Sequence, residues 1–115
     1  MGDQTVNRRL VAIFYADVAG YSRLTGVDEV GTHEALRTGL AILTKAIETN
    51  GGRVNHYAGD AILAEFGSVV DCVTTAIHAQ RSLAAENEDV VEDKRLEFRI
   101  GINLGEVIVD DNEIY

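Results

Sequence analysis

The sequence predicts an α+β domain with the element order β-α-β-β-α-β, followed by the start of a further hairpin. Three patterns carry that expectation. An apolar run near the N-terminus fills both parities, two long stretches repeat apolar residues at helical spacing, and a stretch near the C-terminus alternates apolar with polar residues. Residues 1–7 read as a flexible lead-in and 8–115 as one domain's worth of chain.

The first strand is Leu10 to Ala16, β-rich and apolar on both faces, as a buried central strand requires. It ends at Asp17. From Asp28 to Asn50, Leu36, Leu40, Leu43 and Ile47 form one helical stripe, and Gly51-Gly52 supplies a C-terminal stop. A second strand, Arg53 to Tyr57, turns at Ala58-Gly59 into a third, Asp60 to Phe66. Ser68-Val69-Val70-Asp71 has the form of a capping box opening a second helix. Val69, Val73, Ala76, Ile77, Gln80 and Leu83 are expected to form its apolar face. Glu86 to Asp93 reads as a solvated acidic loop. Leu96, Phe98, Ile100 and Ile102 alternate with Glu97, Arg99, Gly101 and Asn103 as a half-buried strand. Gly105 is expected to turn the chain, with Val107 to Val109 starting the return.

This order is the ferredoxin-like, split βαβ arrangement. Right-handed crossovers make its first two strands parallel with a gap between them, and the third strand fills the gap antiparallel to the first. Topology therefore brings Asp17, ending the first strand, beside Asp60, opening the third, although they lie 43 positions apart.

Composition narrows the chemistry. Ten basic against 19 acidic residues give a net charge of −9, which repels a nucleic-acid backbone. A small nucleotide escapes that objection, because bound cations invert the local sign. Cys72 is the only cysteine, which excludes an intrachain disulfide and fits a reducing cytoplasm. No apolar run reaches membrane-spanning length, so a membrane enters only through other domains of a parent protein.

Two carboxylates at adjacent strand ends suit hard divalent cations. A pair of such ions can bracket a phosphoryl group. Gly20 permits close backbone approach, and a helix starting near Ser22 would aim free N–H groups at the same spot. The plainer reading is that Asp17 caps the next element and Asp60 occupies a hairpin turn, both common roles for aspartate. His33 and His78 read as helix surface residues and Cys72 as a small core residue.

The motifs go further. Phe14-Tyr15-Ala16-Asp17-Val18-Ala19-Gly20-Tyr21-Ser22 resembles the F-x-x-D-h-x-G-F/Y-T/S signature of class III adenylate/guanylate cyclase catalytic domains. Gly51 to Asp60, followed by Ala61 to Phe66, resembles the family's G-G-x-x-h-K-x-x-G-D-x-h-h-h-x-F hairpin. Phe98 to Gly105 resembles its R-h-G-h-x-x-G strand. The resemblance spans nearly the whole chain and is closest to soluble bacterial domains. It implies that Asp17, Asp60 and the Val18 carbonyl hold two Mg²⁺ or Mn²⁺ ions, and that Ala19, Gly20, Tyr21 and Ser22 join Val18 in holding a triphosphate. It implies cyclisation of ATP, or GTP, at a site shared by two protomers of a homodimer.

Two departures stand out. His56 occupies the base-reading place where adenylate cyclases carry Lys and guanylate cyclases Glu. Glu113 falls near the second base-reading place. Tyr115 stands where the family continues with a G-x-x-V-N-x-A-x-R helix, so the family's transition-state Asn and Arg have no counterpart here, and its C-terminal strands and helix are missing. Little turnover is then expected of this chain alone, with self-association through exposed sheet surface. A non-catalytic nucleotide-binding or dimerising module is the alternative. The diguanylate cyclases and polymerase palms share the core topology but not this hairpin.

Overall fold

The computed structural model describes residues 8–110, 113 and 114; the expected lead-in at 1–7 lies outside them. The order is β1 (Arg8–Val18), α1 (Tyr21–Val27), α2 (Glu29–Thr49), β2 (Arg53–Ala58), β3 (Ala61–Phe66), α3 (Val69–Asn87), β4 (Phe98–Asp110) and β5 (Glu113–Ile114), with a 3₁₀ turn at Glu92–Lys94. The strands form one sheet in the order β2-β3-β1-β4-β5. β1 is antiparallel to β3 and to β4, and β2 is antiparallel to β3, so β1 and β2 run parallel across the gap that β3 fills. The expected α+β, ferredoxin-like core is present.

One face of the sheet is covered by helices. Ala12, Phe14, Ala16 and Val18 of β1 point into it, with Ile62, Ala64 and Phe66 of β3 and Phe98 of β4. They meet Leu36, Leu43 and Ile47 of α2 and Cys72, Ala79 and Leu83 of α3. Phe14 and Phe66 tilt against each other at 6.0 Å between ring centroids, the favoured offset of aromatic pairs. Gly52 keeps this seam closed, since a Cβ there would lie 2.5 Å from the Phe66 ring.

The α2 stripe is as read, and Asp28 caps the helix by accepting from the Gly31 amide at 3.0 Å. α1 precedes it as a separate helix. The expected box at Ser68 also forms on one side, its hydroxyl accepting from the Asp71 amide at 3.2 Å.

Three expectations need correcting. The buried face of α3 is Cys72, Thr75, Ala79 and Leu83, while Val69, Val73 and Ile77 are exposed. Small residues let this helix approach the sheet closely, and the Thr75 hydroxyl is satisfied by donating to the Asp71 carbonyl at 2.7 Å. Second, the acidic stretch is only partly loop, because α3 continues to Asn87, whose side-chain amide donates to the Leu96 carbonyl. Third, Gly105 makes no turn. β4 runs through it because eleven residues of β1 each find a β4 partner, with Gly105 opposite Val11. A Cβ on Gly105 would sit 3.4 Å from Ile13 Cδ1, about ordinary contact distance, so neither a turn nor packing demands glycine there. The chain reverses between β4 and β5, with Asp110 paired to Glu113.

No helix among the described residues is long and apolar enough to cross a membrane.

Candidate functional site

Among the described residues, no helix covers the sheet's second face. Parity places its residues: Ile62, Ala64 and Phe66 point into the core, so Leu63 and Glu65 point the other way. Tyr15 stands opposite Leu63 and shares that open face, as does Asp17 two residues on. Arg99 joins them as the direct partner of Asp17 on β4.

Asp17 and Asp60 do converge. Val18 donates its backbone N–H to Asp60 Oδ2 at 3.1 Å, which fixes the Asp60 carboxylate against the peptide that follows Asp17. The tight turn before β3 makes this possible, with Gly59 at φ +60°. Asp60 is therefore more than a turn residue. It ties the start of β3 to the end of β1.

Asp17 has its own partner. Arg99 donates from Nε to Oδ1 at 2.9 Å and from Nη2 to Oδ2 at 3.1 Å. Hydrogen bonding to Asp17, and then its charge, push the Arg99 guanidinium above its ordinary value, with smaller contributions from Tyr15 and Asp60. Arg99 was visible in the sequence as the first residue of an R-h-G-h-x-x-G strand. What was not visible was its meeting with Asp17, which depends on the β1–β4 register.

The loop after Asp17 divides the expected phosphate-holding amides. Val18 is committed to Asp60, and Ala19 donates to the Glu97 carbonyl at 2.8 Å. Ala19 is thus better described as a tie between β1 and the segment leading into β4. Gly20, Tyr21 and Ser22 open α1, where first-turn N–H groups have no acceptor within the helix. Gly20 holds φ +68°, a conformation that favours glycine.

His56 reaches the open face through a bulge. The pairing jumps from Val54–Ala64 to His56–Leu63, leaving Asn55 as the extra residue. In a regular strand without the bulge, Asn55 would face Leu63 and His56 would turn towards the helices. Instead His56 stands exposed on Asp17's face, opposite Leu63 and so two strand spacings or about 10 Å from Tyr15. Glu113 is not brought to it: β5 and β2 are opposite edges of the sheet. His33 and His78 are exposed and Cys72 is fully buried, burial pushing its thiol up.

Farther along the open face, Glu65 is only 5% exposed. Arg9 lies 2.8 Å from Oε2 and Arg53 lies 3.6 Å from Oε1. Sequence reading passed over this cluster because its three residues sit on three different strands.

Two clustered carboxylates are what the site offers a cation; among the described residues no group of three or more His, Cys, Asp or Glu is assembled. That fits Mg²⁺ or Mn²⁺, which are satisfied by one or two carboxylates when substrate phosphates and water fill the remaining positions.

No family model matches the chain. Sequence relatives do. A protein of Rhizobium meliloti (strain 1021), provisionally named adenylate cyclase 3, is 40% identical over 116 aligned positions, covering all of this chain and 20% of that protein. An adenylate cyclase of Anabaena cylindrica is 29% identical, covering 88% of this chain and 22% of its own length. The chain thus spans about a fifth of these curated relatives. Among solved structures, an adenylate/guanylate cyclase/hydrolase from Silicibacter pomeroyi superposes with a TM-score of 0.82 at 33% identity, over 96% of this chain and 65% of that one. The guanylyl cyclase Cya2 gives 0.78 at 25% identity, over 95% and 62%. Sequence and fold together place the chain within the class III adenylate/guanylate cyclase catalytic-domain family, of whose solved domains it spans about two thirds.

Proposed function

We propose that the open face is the cation- and triphosphate-holding part of a nucleotidyl cyclase site, and that the parent protein converts ATP to cyclic AMP and pyrophosphate for cyclic-nucleotide signalling. The observation that carries this reading is the Asp60 carboxylate hydrogen-bonded to the Val18 amide beside Asp17. It supports a pair of hard oxygen ligands at one place on the sheet, next to the helix start that offers phosphate its amides.

On this reading Asp17 and Asp60, with the Val18 carbonyl, hold two Mg²⁺ or Mn²⁺ ions. Those ions supply charge neutralisation and polarise the attacking hydroxyl. The Gly20, Tyr21 and Ser22 amides hold the triphosphate so that the ribose 3′-hydroxyl lies in line with the α-phosphorus. Attack there forms the cyclic phosphodiester and releases pyrophosphate. Positioning and electrostatics do most of this work. The site is completed by a second copy facing the open sheet surface, where His56 reads a purine edge. A neutral imidazole donates one hydrogen bond and accepts one, so His56 serves adenine or guanine less selectively than a Lys or Glu. Cys72 is a free thiol, in keeping with a cytoplasmic domain.

The transition-state Asn and Arg implied by the family resemblance have no counterpart in these 115 residues, so turnover is tested in the longer parent polypeptide. Cyclic AMP and cyclic GMP are measured by chromatography after incubation with ATP or GTP and Mn²⁺. Cyclic AMP as the main product, reduced at least 10²-fold by Asp17→Ala, is expected. No cyclic nucleotide from the dimeric parent, or activity indifferent to Asp17→Ala, contradicts the proposal. His56 favours one second reading, a non-catalytic nucleotide-binding module. Tight ATP binding by that parent without turnover would select it.

A further inference from the structure

Each oxygen of Asp17 already accepts a hydrogen bond from a guanidinium, so a cation at this carboxylate has to compete with Arg99. The Arg99 fork takes Oδ1 at 2.9 Å and Oδ2 at 3.1 Å, the two-point geometry in which arginine holds a carboxylate most firmly. A divalent cation needs one of those same oxygens at about 2.0–2.1 Å for Mg²⁺. Placing it there opposes the guanidinium by both volume and charge.

The two partners differ in mobility. Asp17 is rooted, its side chain 23% exposed at the end of a central strand whose next residue is tied to Asp60. Arg99 has a side chain 67% exposed, and both hydrogen bonds shown for it go to Asp17. Rotating the long arginine side chain would release Asp17 without moving either strand. Arg99 is also the direct cross-strand partner of Asp17, so the fork returns to the same carboxylate whenever that site is vacated.

We infer that Arg99 is a latch on Asp17, holding the carboxylate beside Asp60 in the cation-free protein and giving it up only when a divalent cation displaces the guanidinium. Arg99 is then a positioning residue that sets the cation threshold of the site. The inference rests on the reading of Asp17 and Asp60 as cation ligands.

The test is a calorimetric titration of the 115-residue chain with Mn²⁺ alone, with folding of each variant checked by circular dichroism. Arg99→Ala is expected to raise affinity about two- to fivefold, the worth of an exposed ion pair. Arg99→Lys keeps the charge but loses the fork, and is expected to fall between the two. Asp17→Asn abolishes binding in either background. In ¹⁵N spectra the Arg99 Nε–H signal, sharp in the free protein, should broaden or move on saturation with Mg²⁺. Equal affinity in wild type and Arg99→Ala, with loss in Asp17→Asn, overturns the latch while leaving the cation site standing. A gain in Arg99→Ala with Arg99→Lys identical to wild type reduces the effect to distant charge and also overturns it. Binding that is undetectable in all forms, or indifferent to Asp17→Asn, overturns the cation reading and the latch together.

Discussion

The two faces of the sheet are built from different interactions. On the covered face Phe14, Phe66, Ile62, Leu43 and Ile47 are within 1% of full burial, and size decides what fits. On the open face Asp17 pairs with Arg99, Glu65 with Arg9 and Arg53, and Asp60 with the Val18 amide, and charge decides. The same strands supply both sets through the two-residue alternation of β structure. One face can therefore carry stability while the other keeps charged groups available for a ligand.

Substitutions should separate the two faces by magnitude. The largest effect is expected from Phe14→Ala, which removes a ring from the covered core and leaves a cavity, costing about 3–5 kcal/mol in urea unfolding. A loss under about 1 kcal/mol would mean that the covered face is loosely packed. Glu65→Gln comes next, at about 1–2 kcal/mol. It leaves Arg9 and Arg53 without their carboxylate, but both are about half exposed, so water softens the cost.

Cys72 gives a smaller, pH-dependent effect. Burial raises its thiol pKa, so the folded chain keeps a proton that the unfolded chain releases. Stability is unaffected below the ordinary thiol range and falls as pH rises above about 8.5. Cys72→Ala should remove that part of the slope in thermal unfolding at pH 7 and 10. Smallest is Val73→Ser on the exposed side of α3, within about 0.5 kcal/mol of wild type. A cost near 2 kcal/mol would restore the stripe that sequence periodicity suggested.

That stripe shows where sequence reading ran out. Valine and isoleucine outrank cysteine, threonine and alanine in apolarity, so periodicity picked Val69, Val73 and Ile77. Closeness of approach to the sheet picked Cys72, Thr75 and Ala79 instead. Gly105 misled for a related reason: a glycine permits a turn, but the length of β1 decides whether the ladder continues past it. The α2 stripe was legible because Leu36, Leu43 and Ile47 are both large and buried, with Leu40 packed beside them. The meeting of Asp17 and Asp60 was legible because it follows from connection handedness. The Arg99 fork, the Glu65 cluster and the bulge at Asn55 were not, since each depends on register between strands distant in sequence.

Asp17 and Asp60 are proposed to form one cation site on the open face. Electron paramagnetic resonance of free Mn²⁺ during titration of the chain tests it most directly. Depletion of the free signal by wild type, lost in both Asp17→Asn and Asp60→Asn and kept in the open-face variant Glu65→Gln, is the predicted result. Equal depletion by wild type and the two aspartate variants would contradict it.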